Sequence, residues 1–425
     1  IEPDAPVYSA GGKDWYNGNV GFNVAVKDTV SGIQFVEIKI NGQKIETDLN
    51  GLDLTQDFSK GTAPIMEKVF SVSTSQNALD GKNTIEVVVT SVAGQKSVVY
   101  SDEVYIDTTD ANIIGYEITT INDTPLDKVL NFLTFGIFCN EQVKITVTAE
   151  DVNASAGVES ITLYLGDNAY TQNVKNNKAT FIVTASELSE NAVFAADISA
   201  IATDFVGNAT SNAVIPTEVN SNIKDSSLML ENVDPTATIV PTTSAVADKN
   251  EATKDENAWY ANDVEFTVTT GDVNSGIREV VITINGVEVV KEVFYNDDAT
   301  DTEIHEKIYT VATNAEGVER AQDGSYTVVT TVTDNAGNVF TTAKYVIYKD
   351  IDNPFITNFD FQATDYVEGS ESIVDENDEA LVITTDYGFY FKADTNVIIT
   401  AKDVAPTAGI KSITYYTVDF TNDAN

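Results

Sequence analysis

The sequence predicts an all-β chain of tandem antiparallel sandwiches strung as an elongated rod. Three observations carry this. Apolar and polar residues alternate with period two in segment after segment, the pattern of a half-buried strand. One segment type recurs at a near-constant interval, which marks a repeat architecture. Helical periodicity over ten or more residues is nearly absent, while turn signals are frequent.

The repeat is anchored on aspartates. "WYNGNVGFNVAVKD" ends at Asp28, "FCNEQVKITVTAED" at Asp151, "WYANDVEFTVTTGD" at Asp272 and "YFKADTNVIITAKD" at Asp403. Each copy opens on an aromatic (Trp15, Phe138, Trp259, Tyr390) and then alternates, reading as one continuous strand. In the third copy Val264, Phe266 and Val268 are expected inward, with Glu265 and Thr267 outward. The aromatics are expected to pack at one end of each core.

After the aspartate comes a short loop that closes on glycine (Gly32, Gly157, Gly276, Gly409), where a positive φ is expected. A second strand follows: "SGIQFVEIKING", "AGVESITLYLGD", "SGIREVVITING" and "AGIKSITYYTVD". Asn41-Gly42 and Asn285-Gly286 are hairpin signals. A later strand pair recurs around the turns Ser91-Val92-Ala93-Gly94, Asp204-Phe205-Val206-Gly207 and Asp334-Asn335-Ala336-Gly337. Short turn-rich stretches just upstream fit a crossing between two sheets. About seven short strands per ~100 residues is the signature of a two-sheet sandwich.

The spacing divides the chain into modules at 1–107, 108–233, 234–351 and 352–425, the second with a longer N-terminal insertion and the fourth partial. The "TDNAGN" turn, the "D-x-x-SGI" loop and the "D-x-D-N-P" junction together resemble tandem bacterial immunoglobulin-like domains of large cell-surface adhesins and biofilm-associated proteins. The resemblance covers the whole chain and is plainest in the first and third copies. The second copy has a longer first loop, and the first has Ser91 where the others carry an aspartate. The resemblance implies an extracellular, bacterial cell-surface location.

Charge narrows the partners. With 24 Lys and Arg against 66 Asp and Glu, the net charge is −42. Phosphate backbones and anionic lipid surfaces need the opposite balance, so nucleic acid is excluded as an expected partner. No apolar run is long enough for a membrane span. With one cysteine, Cys139, no intrachain disulfide forms. Cys139 falls where two other copies carry Tyr16 and Tyr260, and reads as core filling.

The acidic residues are not evenly placed. In a seven-strand sandwich the chain entry, the B–C loop and the F–G loop meet at one end. Three stretches of sequence therefore converge at each junction. For the second module these are Asp107 and Asp110, Asp151 and Asp204; for the third, Asp234, Asp272, and Asp334 with Asn335. For the fourth they are Asp350, Asp352 and Asp403; the first has only Asp4 and Asp28. Clustered carboxylates must be solvated, protonated or neutralised. Calcium takes six to eight oxygens from flexible loops, which suits such a cluster. Asp and Asn also serve as turn formers through bonds to their own backbone, and both readings stand at this point. Calcium at junctions is also what the adhesin resemblance implies.

Enzyme signatures are missing. His305 stands alone, so neither a His-based triad nor a His zinc cluster can be assembled; it reads as an exposed strand residue. The sequons at Asn122, Asn153 and Asn208 fit chance in an Asn- and Thr-rich chain. The expected role is structural: a stalk presenting a distal binding region, with calcium ions and an unidentified host, cell-surface or matrix ligand as partners. Competing readings are the stalk of a surface protease or glycosidase, a self-associating biofilm component, or a carbohydrate-binding array. The last would use exposed aromatics such as Tyr164, Tyr415 and Tyr416.

Overall fold

The computed structural model describes all residues except 125–131, 134–135, 153–154, 185–191, 246–257, 295–302, 364–381, 386–387, 392–394 and 418–425. Part of the second-copy insertion lies outside the described residues. Contacts divide the chain into two compact units. One holds Ile1–Val233, with the short segments Asp297–Glu303 and Asn335–Asn338. The other holds Asp234–Asn296, Ile304–Asp334 and Val339–Asn425.

The first unit contains two sandwiches. The first is built from β1 (Glu2–Pro3), β2 (Tyr8–Ala10), β3 (Lys13–Tyr16), β4 (Gly21–Lys27), β5 (Ile33–Ile40), β6 (Gln43–Lys44), β7 (Glu67–Ser73), β8 (Gly81–Ser91) and β9 (Tyr100–Ile106). Its sheets run β1-β4-β7 and β2-β3-β9-β8-β5-β6. The second uses β10 (Asn112–Thr120), β11 (Phe132–Leu133), β12 (Gly136–Cys139), β13 (Val143–Glu150), β14 (Val158–Leu165), β15 (Asn168–Asn173), β16 (Lys178–Val183), β17 (Val193–Asp204) and β18 (Ser227–Glu231), with one short helix, α1 (Pro216–Val219). Its sheets run β10-β13-β16 and β11-β12-β18-β17-β14-β15.

The second unit repeats the plan. Its strands are β19 (Thr236–Pro241), β20 (Trp259–Tyr260), β21 (Glu265–Gly271), β22 (Ile277–Ile284), β23 (Val287–Val293), β24 (Glu306–Ala312), β25 (Ser325–Asp334), β26 (Val339–Thr341) and β27 (Tyr345–Lys349). They form the sheets β19-β21-β24 and β20-β27-β25-β22-β23, with β26 paired to β25. β28 (Phe355–Ala363) and β31 (Thr395–Lys402) then form one two-stranded sheet, and β29 (Val382–Thr385) and β30 (Gly388–Phe391) another. This is an all-β architecture of immunoglobulin-type sandwiches. No helix among the described residues is long and apolar enough to cross a membrane.

Alternation decides which side chains fill the cores. Val264, Phe266 and Val268 are buried and Glu265 is exposed. In the first sandwich Phe22, Val24 and Val26 face inward against Phe70 and Val72. Trp15, Phe138 and Trp259 are buried, as expected. Their strand assignment differs from the sequence reading. "WYNGNVGFNVAVKD" is not one strand: Trp15 and Tyr16 lie in β3, which pairs parallel with β9, and the chain then crosses to β4 in the other sheet. The same parallel pair recurs in β12 with β18 and β20 with β27. Apolar alternation continues through the crossing, so the break was invisible to period counting. The crossing also raises the strand count above seven.

Gly32, Gly157, Gly276 and Gly409 all have positive φ, between 81° and 89°. At Gly32 a Cβ would also stand 3.0 Å from Pro64 Cβ. The turn asparagines do more than turn. Asn41 and Asn285 have φ near 50°, and each uses its side chain to extend the ladder. Asn41 Oδ1 accepts the Thr84 N–H at 2.9 Å, and Asn285 Oδ1 accepts that of Thr327 at 2.8 Å. A shared register shift follows the loop glycine in every complete sandwich, between Ile33 and Phe35, Val158 and Ser160, and Ile277 and Glu279. It seats Ile33, Val158 and Ile277 opposite Ser91, Asp204 and Asp334. Such bulges re-aim residues at the ends of strands, and here one binds the B–C loop to the F–G turn.

Candidate functional site

The loop aspartate is first of all a turn former. Asp28 Oδ1 accepts the N–H groups of Val30, Ser31 and Gly32 at 3.0, 2.7 and 2.7 Å. These bonds hold its carboxyl below the usual range. Asp272 Oδ1 accepts from Asn274 and Gly276 at 3.1 and 2.6 Å. At the F–G turn Asp204 Oδ1 accepts from Val206 and Asn208 at 2.9 and 2.8 Å. Ser91 does the same in the first sandwich, its hydroxyl accepting the Gln95 N–H at 3.1 Å.

The junction aspartate ties the entering chain to the B–C loop. Asp107 is 1% exposed, and its Oδ2 accepts the Ala156 N–H at 2.7 Å. Asp350 Oδ2 accepts the Ala408 N–H at 2.8 Å in the same way. In both, the donor immediately precedes the loop glycine. Asp107 Oδ1 accepts from Thr109 N–H and hydroxyl, and its carbonyl accepts from Asn208 Nδ2 at 3.0 Å. Asn208 is thereby held by both Asp107 and Asp204.

In the first unit the three classes of aspartate meet. Carboxylate oxygens of Asp107, Asp151 and Asp204 all lie within 4.8 Å of one another. Asp204 is fully buried. Asp151 departs from the turn-former pattern. Its longer loop leaves Oδ2 with the Gly157 N–H at 3.0 Å, while among the described residues Oδ1 is buried with no hydrogen-bond partner. Among the described residues no lysine or arginine forms an ion pair with any of the three. Burial, reinforced by the charge of Asp107, pushes Asp151 up to about 6. Burial raises Asp204 as well, against the pull of its Asn208 and Val206 bonds.

This has a measurable consequence. Between about pH 4 and 6 the folded chain keeps a proton on Asp151 that the unfolded chain has released. Stability from this site therefore falls as pH rises through that window, and stays low above it. In chelator, hydrogen-exchange protection of β13 is expected to drop across the window. The Asp151→Asn variant is expected to show a flatter profile; equal slopes would exclude a raised Asp151.

The other named residues are placed as follows. Asp110 is exposed, its carbonyl accepting from Asn112 Nδ2 at 2.9 Å, and it is not among the three. Asp234 is exposed. Asp272 and Asp334 are buried in the second unit, with carboxylate oxygens within 4.8 Å of each other. Asn335, directly after β25, is buried. Asp352 lies 3.8 Å from the Arg320 guanidinium, and Asp403 accepts from Val404 N–H and the Thr407 hydroxyl. Cys139 is buried, and burial pushes its thiol up. His305 is exposed just before β24, with Nδ1 2.8 Å from the Asp272 carbonyl. Tyr415 and Tyr416 are exposed, and Tyr164 is half-buried.

Around the cluster, the first two sandwiches touch through neutral groups. Tyr8 stacks on Phe205 with ring centroids 4.4 Å apart, and Asn17 Nδ2 donates to the Val206 carbonyl at 3.2 Å. Sequence patterning offers no signal for either contact, because the partners are far apart along the chain.

No family profile matches the chain, and no curated protein matches it. Among solved structures the chain is similar to fibronectin(III)-like modules of CbhA from Clostridium thermocellum. That likeness has 15% identity and a TM-score of 0.24, over 51% of this chain and 89% of that one. It is also similar to the sialic acid binding region of a Streptococcus sanguinis adhesin, with 12% identity and a TM-score of 0.17, over 82% of this chain and 77% of that one. A Corynebacterium diphtheriae protein described as membrane anchored matches with 12% identity and a TM-score of 0.17, over 82% of this chain and 90% of that one.

Proposed function

We propose that the chain is stalk from a bacterial cell-surface adhesin, a series of sandwiches that presents a distal binding region outside the cell. In this reading it performs no catalysis. Calcium is held by Asp107, Asp151 and Asp204 and locks the first sandwich to the second. One observation carries the metal: three carboxylates from the junction, the B–C loop and the F–G turn share one small volume, and a buried Asp151 oxygen has no donor among the described residues. The residues fit the ion. Oxygens within 4.8 Å of one another suit a cation bound at about 2.3–2.6 Å, and flexible loops supply calcium more readily than the strict octahedron magnesium demands. The cell-surface assignment is supported by the motif resemblance and by net charge, which keeps such a chain solvated and separate.

The mechanism is mechanical. Asp107 belongs to the linker, while Asp151 and Asp204 belong to the second sandwich, so one ion would restrain the hinge between them. Small-angle scattering and thermal melting, with calcium and with chelator, test this. Calcium is expected to narrow the distribution of dimensions and raise the melting temperature. At 100 times the dissociation constant the stabilisation would be about 2.7 kcal/mol. Superimposable curves in both conditions would remove calcium from the reading.

A further inference from the structure

Asn-Gly pairs occur at Asn17-Gly18, Asn41-Gly42, Asn50-Gly51 and Asn285-Gly286. Asparagine is among the chemically labile side chains, and a glycine after it sets no Cβ beside the backbone nitrogen that can attack it. The structure holds these pairs differently. Asn41 is pinned at both side-chain ends: Nδ2 donates to the Asn77 carbonyl and Oδ1 accepts the Thr84 N–H, each at 2.9 Å. Asn285 is pinned likewise, with Nδ2 donating to the Glu319 carbonyl at 2.7 Å and Oδ1 accepting from Thr327 at 2.8 Å. Beside Asn50 the attacking nitrogen is engaged, because the Gly51 N–H donates to the Asp48 carbonyl at 3.1 Å.

Asn17 and Gly18 lie in the crossing between β3 and β4, and Asn17 is exposed. Its Nδ2 donates to the Val206 carbonyl at 3.2 Å. Among the described residues neither Asn17 Oδ1 nor the Gly18 N–H has a hydrogen-bond partner. The fold does not call for glycine at this place. Gly18 is not among the positive-φ residues, and a Cβ there would meet nothing within 4 Å among the described residues. The aligned pairs are Asn140-Glu141 in the second sandwich and Ala261-Asn262 in the third, so the labile pair is particular to the first.

We propose that Asn17-Gly18 is a deamidation site whose conversion loosens the joint between the first two sandwiches. The Gly18 nitrogen gives up its proton to hydroxide and attacks Asn17 Cγ. The new C–N bond closes a five-membered succinimide. The Cγ–Nδ2 bond breaks, and Nδ2 takes a proton from water and leaves as ammonia. One water then opens the ring at either carbonyl and yields aspartate or isoaspartate. Overall one water is consumed and one ammonia released, with nothing oxidised or reduced. An ionised carboxylate only accepts hydrogen bonds, so the product loses the bond to Val206 and sets a negative charge against its carbonyl. That carbonyl belongs to the F–G turn whose Phe205 stacks on Tyr8. Isoaspartate also adds a methylene to the main chain directly after Tyr16, whose carbonyl accepts the Asp107 N–H at 2.8 Å. No ion takes part, so the change is independent of calcium and goes beyond the stalk reading.

The intact chain, incubated in chelator at mildly alkaline pH and followed by peptide mass spectrometry, tests the site. Asn17 is expected to convert ahead of Asn41, Asn50 and Asn285, to a mixture of aspartate and isoaspartate. Gly18→Ala is expected to slow that conversion at least severalfold while leaving the circular dichroism spectrum unchanged. Small-angle scattering in chelator reads the joint. The aged native chain and fresh Asn17→Asp are both expected to show a broader distribution of dimensions than the fresh native chain, whereas Gly18→Ala aged alongside stays narrow. Conversion at Asn17 no faster than at Asn41 and Asn285 would overturn the site. Scattering from Asn17→Asp that superimposes on the fresh native curve would overturn its effect on the joint.

Discussion

Replacing both Asp151 and Asp204 with Asn is expected to reduce calcium affinity at the first-unit cluster about a hundredfold or more, because two of three charged ligands become neutral. The shapes are conserved, so the loss reports charge. The stabilities should move in opposite directions with the metal state. Without calcium the native chain holds Asp107, Asp151 and Asp204 within 4.8 Å of one another, and desolvation and repulsion weaken it. The double variant removes that repulsion and is expected to be the more stable form in chelator. With calcium the order reverses, since only the native cluster gains binding energy. Titration calorimetry gives the first result and paired melting curves the second. Asp110→Asn is the control: that residue is exposed and outside the cluster, so it should change neither. If the double variant titrates like the native chain, calcium binds elsewhere among the acids and the joint is made by hydrogen bonds alone.

How far the sequence discloses this depends on which force places each residue. Val264, Phe266 and Val268 are legible because one buried face imposes a period of two. The positive φ of Gly32, Gly157, Gly276 and Gly409 is legible because few other residues tolerate it. The meeting of Asp107, Asp151 and Asp204 follows from sandwich topology, which strand count and turn spacing disclose. What stayed hidden is set by path rather than pattern. The chain leaves one sheet between Tyr16 and Gly21 with no change in hydrophobic rhythm. Asp110 is exposed and Asp107 buried, though only two residues separate them. Asn41 was legible as a turn, but its bond to Thr84 requires β8 to lie alongside. Local propensity is written in neighbouring residues, whereas these placements come from partners 40 or more residues away, where a single sequence is silent.

Phe70→Ala tests the core of the first sandwich and is expected to have the largest effect on stability. Phe70 is fully buried. It packs against Phe58 at 5.6 Å, with the Lys68 ammonium 5.8 Å from its ring. Removing a buried ring costs about 3–5 kcal/mol, the sum of lost transfer energy and an incompletely collapsed cavity. A domain's whole stability is about 5–15 kcal/mol, so this sandwich should become marginal. Two tryptophans separate the outcomes. Trp15 is buried in the first sandwich and Trp259 in the third, and the hydrophobic clusters around Phe70 and around Phe266 share no residue. In a Trp259→Phe background the remaining fluorescence reports the first sandwich, and its denaturation midpoint should fall steeply on Phe70→Ala. In a Trp15→Phe background the same substitution should leave the midpoint unchanged. A drop confined to Trp15 identifies Phe70 as part of a self-sufficient core, as expected where each repeat buries its own hydrophobic face. A negligible drop would mean that residues 45–60, with Phe58 and Leu54, move in to refill the space, and that this segment rather than Phe70 dominates the packing.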